Sequence, residues 1–419
     1  MPRLPRTTIR TLAAAAAVAS VAAAADPAAQ VPPPSSPERT VSSLPPSTQP
    51  AAIEQDLPEL LGRLIGLTPG AAPAPRRFHA ALLPYVLENP LLGTGGGLAV
   101  VGGFRLGSSD TPYSRFEASG FLTTNHQEGV LVRSEVRLPA NQWILVGDWG
   151  GGRFPNPAWG IGGSSQPEDR TIVQRSQVQI HETVYRLLLG HLYAGLGFFA
   201  DDFYNIVDVR HAAGEPTRFS DYPYGTSGRS ISSGTTLNLL WDARDSTVAP
   251  TRGSYLLGRF RFGPSFLSSE DDWTSFYLDG RTYYAIPGRR DVLALWAFAW
   301  SSYGRTPYLL LPQVGADPEH RSGRGMVEGR YAALDLLYGE AEYRAHLWKA
   351  LGAVAAVNFT LPSDRQAGHG PPTFRTVHPA LATGLRLLLD RSSGSNLVFD
   401  VAWAPRGSLA FYLNANETF

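Results

Sequence analysis

Cysteine is absent from all 419 residues, so no disulfide holds the chain together and no lipidated cysteine can anchor its amino terminus. Lysine is nearly absent too. Lys349 stands alone among arginines, a bias that reads as genome composition. Beyond the amino-terminal segment, no uncharged apolar run approaches the ~18 residues that a spanning helix needs. Nor is there an excess of charge of either sign. Setting aside Arg3, Arg6 and Arg10 takes the 36 basic residues three below the 36 acidic ones, a charge near −3 that implies no bulk affinity for nucleic acid.

What is present is alternation. At the carboxyl end, Leu409, Phe411, Leu413, Ala415 and Phe419 fall on one face of a strand, and Ala410, Tyr412, Asn414, Asn416 and Thr418 fall on the other. A final strand of this kind, with one greasy and one polar face, suits the closing strand of an outer-membrane barrel. Phe411, Leu413 and Phe419 are then its assembly signal. Glu417 is the misfit on the lipid face, placed at the headgroup boundary. Upstream, the three arginines, the apolar run Leu12–Ala25 and the small residues Ala23 and Ala25 predict a secretory signal peptide over 1–25.

Residues 26–76 read as a periplasmic linker rich in Pro and Ala. Within it Ile53, Leu57, Leu60, Leu61, Leu64 and Ile65 recur at helical spacing. That short amphipathic helix would cap the barrel mouth, lie on the inner leaflet or serve as a plug. The transmembrane barrel occupies 77–419. Strands are expected near 77–86, 93–105, 113–123, 127–138, 142–153, 172–187, 190–203, 231–243, 252–263, 272–286, 290–303, 335–347, 350–360, 377–390, 395–405 and 408–419. Sixteen is an even number, as single-chain bacterial barrels require. The long gaps 154–171, 204–230, 304–334 and 361–376 fall on odd connections and the tight ones on even connections. With the amino terminus in the periplasm, the long loops are extracellular. The strand near 290–303 is apolar on both faces and has no evident orientation.

Three segments resemble one family, the outer-membrane assembly and translocation barrels of the BamA/TamA type, also called bacterial surface antigens. Asp242, Arg244 and Asp245 followed by Pro250 and Gly253 are similar to that family's strand-end pattern. Arg324, Gly325, Met326, Gly329, Arg330 and Tyr331 resemble its arginine–glycine–aromatic loop, although Met326 replaces the aromatic residue. Gly384-Leu385-Arg386, Phe399-Asp400 and the terminal strand complete the set. The resemblance covers residues of roughly 77–419. It implies that Arg324 belongs to a lid folded into the lumen and paired with inward acceptors. The family's usual carboxylate has no counterpart near 350–360, where Val354, Ala356 and Asn358 face inward, so Glu342, Asn358, Asp390 and Asp400 are the candidate partners. Residues 26–76 are too few for a POTRA module, which points to a short, POTRA-less branch.

Function follows less directly. The resemblance implies a role in outer-membrane biogenesis, by insertion or translocation of proteins, with separate partners replacing the missing modules. A weak seam between the first and last strands would template a client strand, and Pro84 and Gly95-Gly96-Gly97 suit poor pairing there. The alternative is a passive pore or a lipid or solute channel, lined by Arg259, Arg261, Arg344 and Arg386, which equally pair with Asp242, Glu342 and Asp400 to fill it. A hydrolase is remote. The nine histidines are scattered, and only His181 with Ser176 or His126 with Ser119 could be forced into a dyad. The chain reads as no enzyme, with no metal and no cofactor. Expected partners are outer-membrane lipid and lipopolysaccharide, the barrel assembly machinery for its own insertion, a periplasmic subunit and client proteins.

Overall fold

The computed structural model describes residues 78–89, 93–107, 111–366, 370–390, 394–405, 409–415, 417 and 419. The expected signal peptide, linker and amphipathic helix lie outside them. Seventeen strands form one sheet: β1 (Phe78–Asn89), β2 (Gly93–Phe104), β3 (Ser114–Thr123), β4 (Glu128–Arg137), β5 (Trp143–Arg153), β6 (Asn156–Ala158), β7 (Thr171–Leu189), β8 (Leu192–Asp208), β9 (Gly228–Asp242), β10 (Gly253–Gly263), β11 (Trp273–Ala285), β12 (Val292–Gly304), β13 (Asp335–Trp348), β14 (Leu351–Pro362), β15 (His378–Asp390), β16 (Ser395–Trp403) and β17 (Ala410–Ala415). The three-residue β6 only prolongs the edge that β5 presents to β7. The other sixteen are the strands expected from alternation, each antiparallel to the next.

Alternation sorts the side chains as a membrane barrel requires. Leu256, Phe260 and Phe262 of β10 are exposed on the outer wall, as are Leu237 and Leu239 of β9, Leu381 and Leu385 of β15, and Phe399 and Trp403 of β16. Their neighbours turn inward, where Arg259 donates to Asn238 and Arg261 to Asp201. An apolar belt around a polar interior is stable only with lipid outside. The inner face of β12, ambiguous in sequence, is the row Val292, Ala294, Trp296, Phe298 and Trp300, all buried. Trp296 and Phe298 pack on Tyr338 of β13 at ring-centroid distances of 5.1 and 5.0 Å, filling part of the lumen with aromatic rings instead of water.

The carboxyl end departs from the expected pattern. β17 stops at Ala415, and the strand parity that put Glu417 and Phe419 on the outer face does not continue past it. Both residues are buried inside. The Phe419 ring lies 5.2 Å from Trp296, and Glu417 accepts from Arg386 Nε at 2.8 Å and Asn396 Nδ2 at 2.9 Å. The turn inward is favourable because a carboxylate held by cations avoids the cost of facing lipid.

β1 pairs with β2 over twelve residues, whereas β17 pairs with β16 over six. Among the described residues no ladder joins β1 to β17. The sheet therefore curls into a barrel wall with a seam between its first and last strands.

Candidate functional site

The segment between β12 and β13 folds into the barrel as a lid. Its root is fixed by neighbouring loops at the end of the barrel that bears the long connections. Tyr308 donates to the Gly160 carbonyl at 3.0 Å and packs edge-on against Phe219 at 4.6 Å. Ala332 bridges to both Ile161 and Gln313. Arg330 donates to Ser165 Oγ at 2.8 Å and to its carbonyl at 3.0 Å, and Tyr331 stacks on His378 at 3.7 Å. The tip turns at Gly323, Gly325 and Gly329, whose φ values of 71°, 90° and 74° favour glycine. At Gly325 a Cβ would also stand 2.9 Å from the Trp403 backbone, so the lid touches β16 there with no room for a side chain.

Arg324 is carried by this tip into the lumen, where it is 3% exposed. Its guanidinium meets three carboxylates: Glu340, Glu342 at 2.5 Å and Asp400 at 3.0 Å. Its carbonyl accepts from Asn358 Nδ2 at 3.1 Å, and Tyr412 Oη accepts from Gly325 N–H at 3.1 Å. Thr360 Oγ1 donates to the Met326 sulfur at 3.6 Å, the position where the family resemblance implies an aromatic ring. The acids themselves are shared. Glu342 accepts from Arg344 at 2.7 Å, Arg344 lies 3.7 Å from Glu417, Glu417 pairs with Arg386 and Arg386 with Asp400 at 2.5 Å. Arg324, Glu342, Arg344, Glu417, Arg386 and Asp400 thus close a ring of alternating charge in which every member has two opposite neighbours. Burying so many ions is tolerable only because each is compensated; a lone one costs several kcal/mol.

The lid reaches further. Glu319 lies 3.5 Å from Arg115 on β3 and 3.4 Å from Arg281 on β11, while Arg321 donates to the Glu417 carbonyl. The lid therefore spans the lumen, touching the wall on opposite sides and the carboxyl-terminal tail.

The strand-end motif builds a turn at the opposite end. Asp242 pairs with Arg244 at 2.8 Å and Arg137 at 2.6 Å, and Asp245 accepts from the backbone N–H groups of Thr251 and Arg252. The Pro250 carbonyl accepts from Arg344 at 3.2 Å, which links this turn to the charge ring. Gly253 has φ 99°, and a Cβ there would approach the Ala243 oxygen to 2.1 Å. Gly253→Val should consequently disrupt the β9–β10 turn and lower the folded outer-membrane yield, read by the heat-dependent gel shift of the barrel; an unchanged yield would rule out a structural need for glycine here.

Of the candidate partners of Arg324, the structure brings Glu342, Asp400 and Asn358 to it. The Asp390 side chain lies outside the described residues. Glu340, two residues before Glu342 and hence on the same inward face, is a partner that sequence reasoning missed although period-two alternation marked it. Phe411 and Leu413 are exposed on the outer wall, as expected, whereas Phe419 is not. The forced histidine dyads do not form: His181 pairs with Asp201 at 2.8 Å, and Ser176, five residues away on the same strand, faces the other side. His126 sits in the β3–β4 turn at φ 60°.

An even-numbered antiparallel barrel with an apolar outer belt and a polar interior is the architecture of outer-membrane barrels. In structure it is similar to BamA from Haemophilus ducreyi lacking POTRA domains 1–3, at 11% identity over 81% of this chain and 70% of that one, with a TM-score of 0.51. It is also similar to CdiB from Escherichia coli, at 14% identity over 82% of this chain and 62% of that one, with a TM-score of 0.50. The chain spans less than two thirds of the CdiB length, and identities this low establish the fold alone. No family model and no curated protein sequence matches the chain.

Proposed function

We propose that the protein is an integral outer-membrane barrel that acts in outer-membrane biogenesis, inserting or translocating client proteins with the help of separate periplasmic partners. Its own insertion would depend on the barrel assembly machinery, its outer wall would contact lipid and lipopolysaccharide, and the end bearing the long loops would be extracellular. The observation that supports this reading is the seam: among the described residues a six-residue β17 stands opposite a twelve-residue β1 with no ladder between them, which leaves backbone N–H and C=O groups on the β1 edge for another strand. Such an edge can accept a client strand by hydrogen bonding, as sheet edges accept peptides elsewhere. Exposed Phe78 and Leu82 on β1, with Phe411 and Leu413 on β17, offer the client an apolar outer face next to lipid. The pore reading is less well supported, because the lid, the charge ring and the aromatic rows occupy the lumen.

The experiment is a reversible lock. The chain has no cysteine, so pairs introduced across β1 and β17 form the only disulfide. In proteoliposomes supplied with an unfolded client barrel, the oxidised lock should slow client assembly at least about tenfold, a barrier increase near 1.4 kcal/mol, and reduction should restore it. Equal rates with the seam locked and free would sink the proposal.

A further inference from the structure

A carboxylate stands on the lipid-facing wall about halfway between its polar edges. Glu182 lies on β7 between His181, which pairs with inward Asp201, and Thr183, which is buried inside. Val184, two residues on, is exposed on the outer wall, and so is Phe198, directly opposite Glu182 on β8. Glu182 shares their face. Four residues towards the tight turns, Arg186 covers the Trp143 ring at 4.7 Å and donates to Gln142, marking the polar edge of the apolar belt. Four residues the other way, Val178 pairs with Asp202, whose two oxygens accept from Arg229 at 2.9 and 2.7 Å and mark the other edge. At ~3.3 Å per residue each edge is ~13 Å away along the strand, beyond the reach of a glutamate side chain. A charge-bearing group at that depth is costly on lipid and marks a functional contact by default.

The surroundings supply donors. Gly147 on β5 is opposite Glu182, and Ser134 on β4 is opposite Gly147. The Trp149 indole lies over Gly147, where a Cβ would meet it at 2.6 Å and the Ser134 hydroxyl at 3.1 Å. Trp149 Nε1 is shielded from solvent, and the indole, on the same outer face, interacts with the Glu182 carboxyl. One acceptor and two donors therefore sit side by side at one depth, bordered by Val184, Phe198 and Leu196.

We propose that this strip of β4, β5 and β7 is the contact surface for a second copy of the chain, the two barrels lying side by side in the same orientation. Lipid tails offer no hydrogen bond at this depth, and a single indole N–H cannot satisfy both carboxyl oxygens, so a partner at the same level supplies the remaining donor. A two-fold axis along the membrane normal brings equal depths together. The strip presents both an acceptor and donors in one row, which makes it complementary to itself. The inference rests on the membrane barrel and is independent of what the barrel moves.

Single cysteines test it in native membranes. Oxidation of a cysteine at Val184 should yield a disulfide-linked dimer of this chain, and one at Leu385, exposed on the outer face of β15, should not. In lipid nanodiscs or by photobleaching in bilayers, Glu182→Leu and Trp149→Phe should each reduce the dimer fraction, the first roughly tenfold, with the folded gel form retained. A Val184 cysteine that cross-links to a different polypeptide, cross-linking equal at both positions, or a dimer indifferent to Glu182→Leu would each overturn the proposal.

Discussion

Arg324→Ala should open the barrel. Three buried carboxylates, Glu340, Glu342 and Asp400, converge on this one guanidinium, and its loss leaves their charge short of a partner. Breaking a buried pair by removing one member costs about 3–5 kcal/mol. The strands around it keep their ladders, so the cost falls on the docking of the lid, which should swing out of the lumen. The measurable results are a higher single-channel conductance in planar bilayers and cleavage of the loop by external protease, with the barrel still folded. Arg324→Lys should restore closure only in part, because an ammonium cannot reproduce the planar fork that reaches several acceptors at once. Unchanged conductance and protease resistance in Arg324→Ala would mean that the lid is held by its root at Tyr308, Arg330 and Tyr331, and not by the clamp.

Glu342→Leu should have a larger effect on the barrel itself. Glu342 is fully buried and stands 2.5 Å from Arg324, 2.7 Å from Arg344 and 3.8 Å from Arg386. Leucine fills similar space but leaves three guanidinium groups with less compensation, two of them on wall strands. The expected loss is about 3–5 kcal/mol, seen as a lower midpoint in the heat-dependent gel shift and in denaturant unfolding. Glu342→Gln should lose less, since the amide oxygen still accepts. Combining Glu342→Leu with Arg324→Met should cost clearly less than the sum of the two, because the second change removes a charge that the first left unpaired. Additive losses would show that the two residues do not act as a unit.

The strands were legible because lipid and lumen impose opposite demands on successive residues, and alternation records that directly. For the same reason Arg344 and Asp400 could be placed inside the barrel without any structure. Legibility failed where the strand ended. Parity carried past Ala415 put Glu417 and Phe419 towards lipid, but a residue beyond the last ladder bond is free to turn, and Arg386 and Trp296 draw both inward. It failed again for contacts between loops distant in sequence. Nothing in the chain pairs Arg330 with Ser165, or Tyr331 with His378; those follow from how the loops meet at one end of the barrel. The β12 strand shows a third limit. When both faces are apolar, the inner one is chosen by its partners, here Tyr338 and Tyr277.

The lid and the carboxyl-terminal tail are held by overlapping charges: Glu417 belongs to the tail, Arg324 to the lid, and Arg344 and Arg386 face both Glu417 and the acids that hold Arg324. Two elements that share counter-ions obey thermodynamic reciprocity. Whatever free energy tail release subtracts from lid docking, lid release subtracts from tail docking. A molecule that binds the tail need not touch the lid to unlatch it. Drawing Glu417 away from Arg386 and Arg344 leaves both arginines to compete with Arg324 for Glu342 and Asp400. The last residues of the chain, next to the seam, would then act as a remote release for a lid rooted at the far end of the barrel.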